Sequence, residues 1–408
     1  MKVLLSAFSC EPGRGSEPEV GFRALFAAAR RHEVWALVSA TGLPALEQAL
    51  DGHPIRKRIR LVAIPVGADE STLSLPSFHR RYWGWQRRAG KLGRDLDQQI
   101  DFDVVHHVTL SPLWTPVGVA SIAKPLVWGP VGGTVDTPLR LFSQLGPTGM
   151  LEDVARAGIR RGLARAPWTR SAPRRAAVIL AQNAQTARRL RSRSTPRVLS
   201  NGTAVAIGGM PSRRERTSEI AFVGRLIGWK GPLLALRALR HVRHTGAHLS
   251  FYGAGRDEPR LRRAARRWGL HERVSFTGWL PREDVLARVA CAGVLLYPSL
   301  HDEAGLAVAE ALTLGTPVVC LDHGGPAEVV SHWPSELWTA VPPRGPAGTA
   351  RALAGAVDAF FDDPPPVPAT PLPPQMSFAD AVESAYHEAG ASRHHGDMEH
   401  PPPGRADA

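Results

Sequence analysis

Two acids and two cations are the residues of this chain best placed to do chemistry. In Leu296-Tyr-Pro-Ser-Leu-His-Asp302-Glu303-Ala-Gly305-Leu306-Ala-Val-Ala-Glu310, an apolar run ends at Tyr297 and a turn carries two carboxylates. A helix is then expected from near Gly305. Glu310 falls on that otherwise apolar helix, where an unpartnered carboxylate is costly. Two partners suit it: a ribose diol, as an acid binds ribose in dinucleotide folds, or an Arg on a neighbouring helix. Upstream, Phe222-Val-Gly224-Arg225-Leu-Ile-Gly-Trp-Lys230-Gly reads as a strand-to-helix turn with cations on both sides of a helix N-terminus. It is either an anion site suited to a diphosphate or a basic loop that caps the helix. Phe251-Tyr-Gly253-Ala-Gly255 is a second Gly-rich turn, and its weight comes from following the first by one βα unit.

Such turns need strands to carry them, and the chain supplies two sets. With 408 residues it exceeds what one hydrophobic core holds, so two domains are expected. Val3–Phe8, Glu33–Ser39, Arg60–Pro65, Asp103–His107, Pro125–Trp128 and Ala177–Ala181 read as buried strands separated by helical spacing. The rhythm restarts after Asn201-Gly202 and a polar linker from Pro211 to Ser218. Ile220–Val223, Leu249–Tyr252, Val274–Thr277, Val294–Tyr297 and Pro317–Cys320 follow as a second set. Both halves are therefore expected to be doubly wound α/β domains. Asp362–Pro374 is Pro-rich and irregular, Ser377–Ala389 a last amphipathic helix, and 390–408 a polar, disordered tail.

In the first half, Glu11-Pro-Gly13-Arg-Gly15-Ser16-Glu17 leads from the first strand into a helix. Asp103-Val-Val-His106-His107-Val-Thr109 is a strand whose end is expected to deliver His and Thr to a cleft edge. Trp128-Gly-Pro-Val-Gly132-Gly133-Thr134 is a further Gly-rich strand exit.

The net charge of +13 is almost all Arg, with Lys only at 2, 57, 91, 124 and 230. No apolar run approaches a bilayer span. Cys10, Cys291 and Cys320 form neither a metal-ligand spacing nor a disulfide framework, so a reducing cytoplasm is expected. The first apolar run reads as a strand rather than a secretory signal. Two basic tracts stand out. His79-Arg-Arg-Tyr82-Trp83-Gly-Trp85-Gln-Arg87-Arg88 mixes cations with aromatics, and Arg156, Arg160, Arg161, Arg165, Arg170, Arg174 and Arg175 form the other. They suit peripheral contact with an anionic membrane at its cytoplasmic face, or else are a plain solvated face. No nucleic-acid motif accompanies them, and no nucleic-acid partner is expected.

Together these segments resemble the family-four retaining glycosyltransferases of GT-B fold (the group 1 glycosyltransferases), closely over Ile220–Val330 and more loosely over the rest of 1–389. The resemblance implies two Rossmann-like doubly wound domains facing across a cleft. Residues 1–205 would be the acceptor domain and 206–362 the nucleotide-sugar domain, with 363–389 a linker and final helix returning to the first. It implies transfer of a sugar from a nucleotide-diphosphate-sugar donor to a hydroxyl of a glycan, lipid-linked or small-molecule acceptor. Configuration would be retained, with no cofactor and no obligatory metal.

Gly224, Arg225 and Lys230 match the family's diphosphate-binding segment. Asp302 and Glu310 keep the spacing of its paired acids, which assigns Asp302 to the sugar hydroxyls and Glu310 to the ribose. Asp stands where the family has Glu, and Glu303-Ala304 where it has Gly-Phe, so Glu303 is expected to point away from the sugar. Gly305 and Leu306 keep the pattern of backbone N–H groups toward sugar or phosphate. Gly253 and Gly255 belong to the same donor side, Trp279 and Leu280 match the segment packed on the base, and Gly324-Gly325-Pro-Ala-Glu328 resembles a recurring turn. Gly13, Gly15, Ser16 and Glu17 lie in the loop that faces sugar and acceptor. His107, with His106 second, would contact the donor sugar, completing a catalytic set with Arg225, Lys230 and Asp302. Two other readings stay open. A nucleotide-sugar epimerase or hydrolase of this fold would turn over donor without acceptor, and a non-catalytic protein would bind the nucleotide sugar only.

Overall fold

The apolar runs become two parallel sheets in the computed structural model, which describes residues 1–13, 16–66, 75–190, 192, 194–204, 207 and 215–398. The first sheet holds β1 (Lys2–Ala7), β2 (Glu33–Ser39), β3 (Ile59–Ile64), β4 (Val104–His107), β5 (Leu126–Val131), β6 (Ala176–Ala181) and β7 (Arg197–Val198). The second holds β8 (Glu219–Val223), β9 (His248–Tyr252), β10 (Val274–Gly278), β11 (Val294–Tyr297), β12 (Val318–Leu321) and β13 (Trp338–Val341). Their spatial orders are β3-β2-β1-β4-β5-β6-β7 and β10-β9-β8-β11-β12-β13. Each order reverses beside its first strand, between β1 and β4 and between β8 and β11. A crevice opens at the carboxyl ends of strands on either side of such a reversal, and ligands bind there in open α/β sheets. The turns after β8 and β11 are the two segments that carry Arg225, Lys230 and Asp302.

Two short edge strands, β7 and β13, were not expected from the sequence. β13 is four residues long, three of them only half-buried, between Pro334 and Pro342, so it shows no sustained apolar run. Helices cover both faces of each sheet, giving each domain a core on either side. Leu141 and Leu145, from the segment after β5, are buried in the second domain's core, so the first domain sends a piece of itself across.

The aromatic and basic tract at 79–88 lies on the helix Leu75–Ile100 and is mostly not a surface. Tyr82 and Trp85 are buried and pack edge-on against Phe8 at 5.2 Å each. The spacing of 82, 85 and 89 is one helical face and meets the sheet, while Arg80, Arg87 and Arg88 are exposed and Arg81 is half-buried. For those aromatics the membrane reading is replaced by a core role.

The last helix, Phe378–Met398, runs past the point where the tail was expected to begin. Residues 390–398 contain no proline, so no residue there breaks the helix by lacking a backbone N–H. The part of the tail from 399 on lies outside the described residues, as does 211–214 of the linker. Phe378, Val382, Ala385, Tyr386 and Ala389 are buried in the first domain's core. The chain thus crosses between domains twice, once after Thr203 and once through the Pro-rich stretch. Thr203, Pro373 and Pro374 line one cavity of about 360 Å³.

Tyr386 explains His106. The Gly129 carbonyl lies 2.9 Å from His106 Nε2, so that nitrogen carries the proton, and Nδ1 accepts from the Tyr386 hydroxyl at 2.8 Å. Burial pushes this imidazole down to about 4, so it is neutral near pH 7. Tyr386→Phe leaves a buried acceptor unmade, and urea unfolding is expected to show a loss of about 1–3 kcal/mol. Ligand affinity in the cleft should not change.

Candidate active site

The turn after β8 and the turn after β11 meet at one ion pair. Lys230 Nζ contacts Asp302 Oδ2 and donates to the Tyr297 hydroxyl at 3.0 Å, while that hydroxyl donates to Asp302 Oδ2 at 2.6 Å. Asp302 Oδ1 accepts from the backbone N–H groups of Ala304 and Gly305 at 3.2 Å each. A carboxylate offers about four lone-pair sites, and these four donors occupy them. Asp302 is therefore not free for sugar hydroxyls, as its sequence position suggested, and acts by holding Lys230 and the turn. Burial opposes both charges, but each group keeps the other ionised: Asp302 is held below the ordinary carboxylate range and Lys230 above the ordinary amine value. An ammonium has three hydrogens, so Lys230 keeps one for a further anion.

The loops around this pair are fitted backbone to backbone. A Cβ at Gly253 would lie 2.2 Å from the Gly224 carbonyl oxygen, and one at Gly255 would lie 2.3 Å from that of Leu226. The Gly-x-Gly turn thus lets the β9 exit press on the β8 exit. Gly253 N–H then donates to Gly278 O at 2.9 Å, bringing the β10 exit alongside. There Leu280 is half-buried and Trp279 is 77% exposed, an indole with its faces open. Arg225 is exposed, and no described residue forms a hydrogen bond or ion pair with its side chain. Gly305 takes a left-handed φ of 62° and caps the helix Leu306–Thr313. Its N–H is used by Asp302, whereas the N–H of Leu306 has no acceptor among the described residues.

Glu310 finds the second of its two candidate partners. Arg282, on the helix Arg282–Val289, places Nε and Nη2 each 2.8 Å from Glu310 Oε1. Both contacts use one oxygen and leave Oε2 without a partner among the described residues. Burial pushes this carboxyl up against the pull of Arg282, and Glu19 of the first domain adds to the rise.

On the first-domain side, Gly13 has a left-handed φ of 71° and donates its N–H to Glu19 at 2.8 Å. Gly15 lies outside the described residues, and Ser16 opens the helix Ser16–Ala29. Glu17 accepts from the N–H of Leu110 at 3.0 Å, tying the β1 exit to the β4 exit. His107 does not stand at a cleft edge: it is fully buried, with Nδ1 3.1 Å from Ser6 Oγ and Nε2 unpartnered among the described residues. The strand's last residue is still inside the sheet, and the chain turns to the surface only at Leu110. Burial pushes its imidazole down to about 3.

Glu303 reaches across to the first domain. Its Oε1 accepts from Val135 N–H at 2.9 Å and its Oε2 from Asn183 Nδ2 at 3.1 Å. Glu328 accepts from Ala184 N–H at 3.0 Å, and His323 Nε2 donates to Asp136 O at 2.7 Å. Beside them the helix Gly146–Leu163 leans on the β8 turn. Asp153 accepts from Trp229 Nε1 at 3.0 Å, and the Arg156 guanidinium lies 5.1 Å from the Trp229 ring. Trp229 stacks on His301 at 5.3 Å. The domains therefore meet closed. The roles that Tyr297, Glu303, His301 and Arg156 take here escaped the sequence reading, and Tyr297, at a strand end next to the acid turn, carried the clearest signal.

The fold and this cleft define a two-domain Rossmann-like protein of GT-B architecture. The UDP complex of Alr3699/HepE from Anabaena has the same fold, with a TM-score of 0.53, 15% identity, and coverage of 98% of this chain and 100% of that one. Residues 211–368, which hold the whole Arg225, Lys230, Asp302 and Glu310 cluster, match the family described as Glycosyl transferases group 1. The chain is similar to the 2-deoxystreptamine glucosyltransferase of Streptomyces kanamyceticus, 32% identical over 46% of each chain. It is also similar to the glycogen synthase of Mycobacterium tuberculosis, 34% identical over 41% of this chain and 40% of the other. The chain thus spans less than half the length of these curated relatives.

Proposed function

We propose that this protein is a glycosyltransferase that moves a sugar from a nucleotide-diphosphate-sugar donor to an acceptor hydroxyl. The observation that carries this reading is the pair of cations at the β8/β11 crevice, Lys230 anchored by Asp302 and Tyr297, and Arg225 open to solvent. A departing nucleotide diphosphate gains negative charge, and fixed cations with the helix N-terminus at Leu306 stabilise it as it forms. Oε2 of Glu310 is suited to a ribose hydroxyl and Trp279 to a base. The enclosed His107 supports the β1/β4 crevice through Ser6 rather than by touching the sugar. Because the solved relative holds UDP, uridine diphosphate is the first nucleotide to test. Retention of configuration and independence of metal are part of the proposal.

Thermal shift with uridine, guanosine and adenosine diphosphates tests the site, since a ligand at ~100 times its dissociation constant stabilises by about 2.7 kcal/mol. No shift with any of them refutes the reading. Donor consumption that does not depend on an acceptor would point to an epimerase or hydrolase instead. The anomeric configuration of the product, read by NMR, decides retention, and unchanged turnover in EDTA is expected. Trp279→Ala should weaken nucleotide binding about tenfold, as loss of a stacked base does. An indole this exposed contributes little to folding, so the melting temperature without ligand should stay the same.

A further inference from the structure

The helix Gly146–Leu163 has two faces with different occupants. Its inner face sends Asp153 and Arg156 to Trp229, and Arg160 to Asp136. Its outer face is apolar and open: Leu151 is 71% exposed, Val154 59% and Ile159 62%. Ala155, Gly158 and Gly162 complete the i, i+3, i+4, i+7, i+8, i+11 spacing of one stripe. A Cβ at Gly158 or Gly162 would meet nothing within 4 Å, so none of the described residues covers this face there. Leu139, 88% exposed, and Trp168, 39% exposed, lie just before and after the helix. Most of the large exposed apolar side chains of the described residues thus fall between 139 and 168.

The charge beside the stripe has one sign. Residues 139–175 contain eight arginines and two acids. Both acids are already paired, Glu152 with Arg256 at the surface and Asp153 inward with Trp229 and Thr137. Arg140, Arg161, Arg165, Arg170, Arg174 and Arg175 are exposed. An apolar ridge flanked by unopposed cations is the arrangement of a helix lying in the interface of an anionic bilayer. A second copy of the chain would bring the same cations against one another, which disfavours a self-contact. No helix among the described residues is long and apolar enough to cross a membrane.

We infer that the outer face of the 146–163 helix, with Leu139 and Trp168, docks this protein on an anionic lipid surface. Leu151, Val154 and Ile159 enter the headgroup boundary, and the arginines pair with lipid phosphates. Because the inner face of the same helix rests on Trp229, next to Lys230, docking holds the cleft close to the bilayer. The inference concerns attachment and needs neither donor nor acceptor, so its failure leaves the transferase reading standing, and loss of nucleotide binding leaves attachment unaffected.

Flotation of the full chain tests it, using phosphatidylcholine vesicles with and without phosphatidylglycerol. Binding is expected to the anionic vesicles at low salt and to weaken in high salt. Leu151→Ser with Ile159→Ser should reduce partitioning at least about tenfold, because two apolar side chains are lost from the interface. Arg161→Glu with Arg165→Glu should do the same, while Arg266→Glu with Arg267→Glu on the second domain should not. Unchanged thermal unfolding identifies the variants as folded, and Val154→Ser gives an independent substitution on the same face. No flotation of the wild type, equal binding to neutral vesicles, or variants that float like wild type would each overturn the inference. So would a dimer in sedimentation that Leu151→Ser with Ile159→Ser dissolves, because the face would then belong to a second copy.

Discussion

Lys230→Ala is expected to slow sugar transfer by about 100- to 1000-fold, the usual loss when a fixed charge-stabilising group is removed from a transition state. The same change should also lower stability, because Asp302 loses its counter-charge while remaining only 12% exposed. Breaking a buried pair from one side typically costs about 3–5 kcal/mol. The two effects separate in the double variant Lys230→Ala with Asp302→Asn: with no charge left unpaired, much of the stability should return, while the rate should not. Asp302→Asn alone should leave Lys230 poorly held and weaken nucleotide diphosphate binding as well as transfer. The pH dependence follows from the same pair. The folded-state pKa of Asp302 is depressed, so its stabilisation is complete above the unfolded carboxyl value of about 3.9 and is lost as pH falls through the folded value. The stability difference between the wild type and Asp302→Asn should therefore be full at neutral pH and shrink as the pH falls through the acid range. Wild-type rate and diphosphate affinity in Lys230→Ala would remove the assignment.

Glu303→Gln should open the cleft. Both carboxylate oxygens accept, one from Val135 N–H and the other from Asn183 Nδ2. An amide offers one acceptor and sets its own NH₂ against the remaining donor. Asn183 cannot flip to compensate, because its Oδ1 already accepts from Thr186 N–H at 2.8 Å. The mismatch costs about 1–3 kcal/mol of closure. We expect a larger radius of gyration in small-angle scattering and a KM raised about 5- to 150-fold, with the temperature of unfolding little changed. A variant with the wild-type radius and KM would show that Glu303 does not hold the domains together.

How much of this was legible differs between the scaffold and the cleft. The strands from Val3 to Ala181 and from Ile220 to Cys320 could be read because parallel strands buried on both faces are continuous apolar runs. The two reversals of strand order could not be read, since they depend on which strand pairs with which. Lys230, Asp302 and Glu310 were found from their spacing, but their partners were not. Asp302 spends its lone pairs on Lys230, Tyr297 and its own turn, and Glu310 meets Arg282 from a helix 28 positions earlier. The partners of Glu303 could not be read for the same reason: at 135 and 183 they lie in the other domain. His107 was misplaced by one turn of chain, because a strand's last residue can still be inside its sheet. Tyr82 and Trp85 show that aromatics among cations can equally be the buried face of a helix with a charged back.

Thr203, where the chain leaves the first domain, and Pro373 and Pro374, through which it returns, line a single cavity, so the two points of tethering are neighbours. A lone tether would let one domain spin about it, sampling many relative orientations. Two neighbouring tethers behave like the pins of a door: swinging apart remains available, and twisting is blocked by covalent chain. Opening of the lobes is therefore expected to follow one coordinate, with the β8 and β11 turns returning to the same place opposite the first domain on closure.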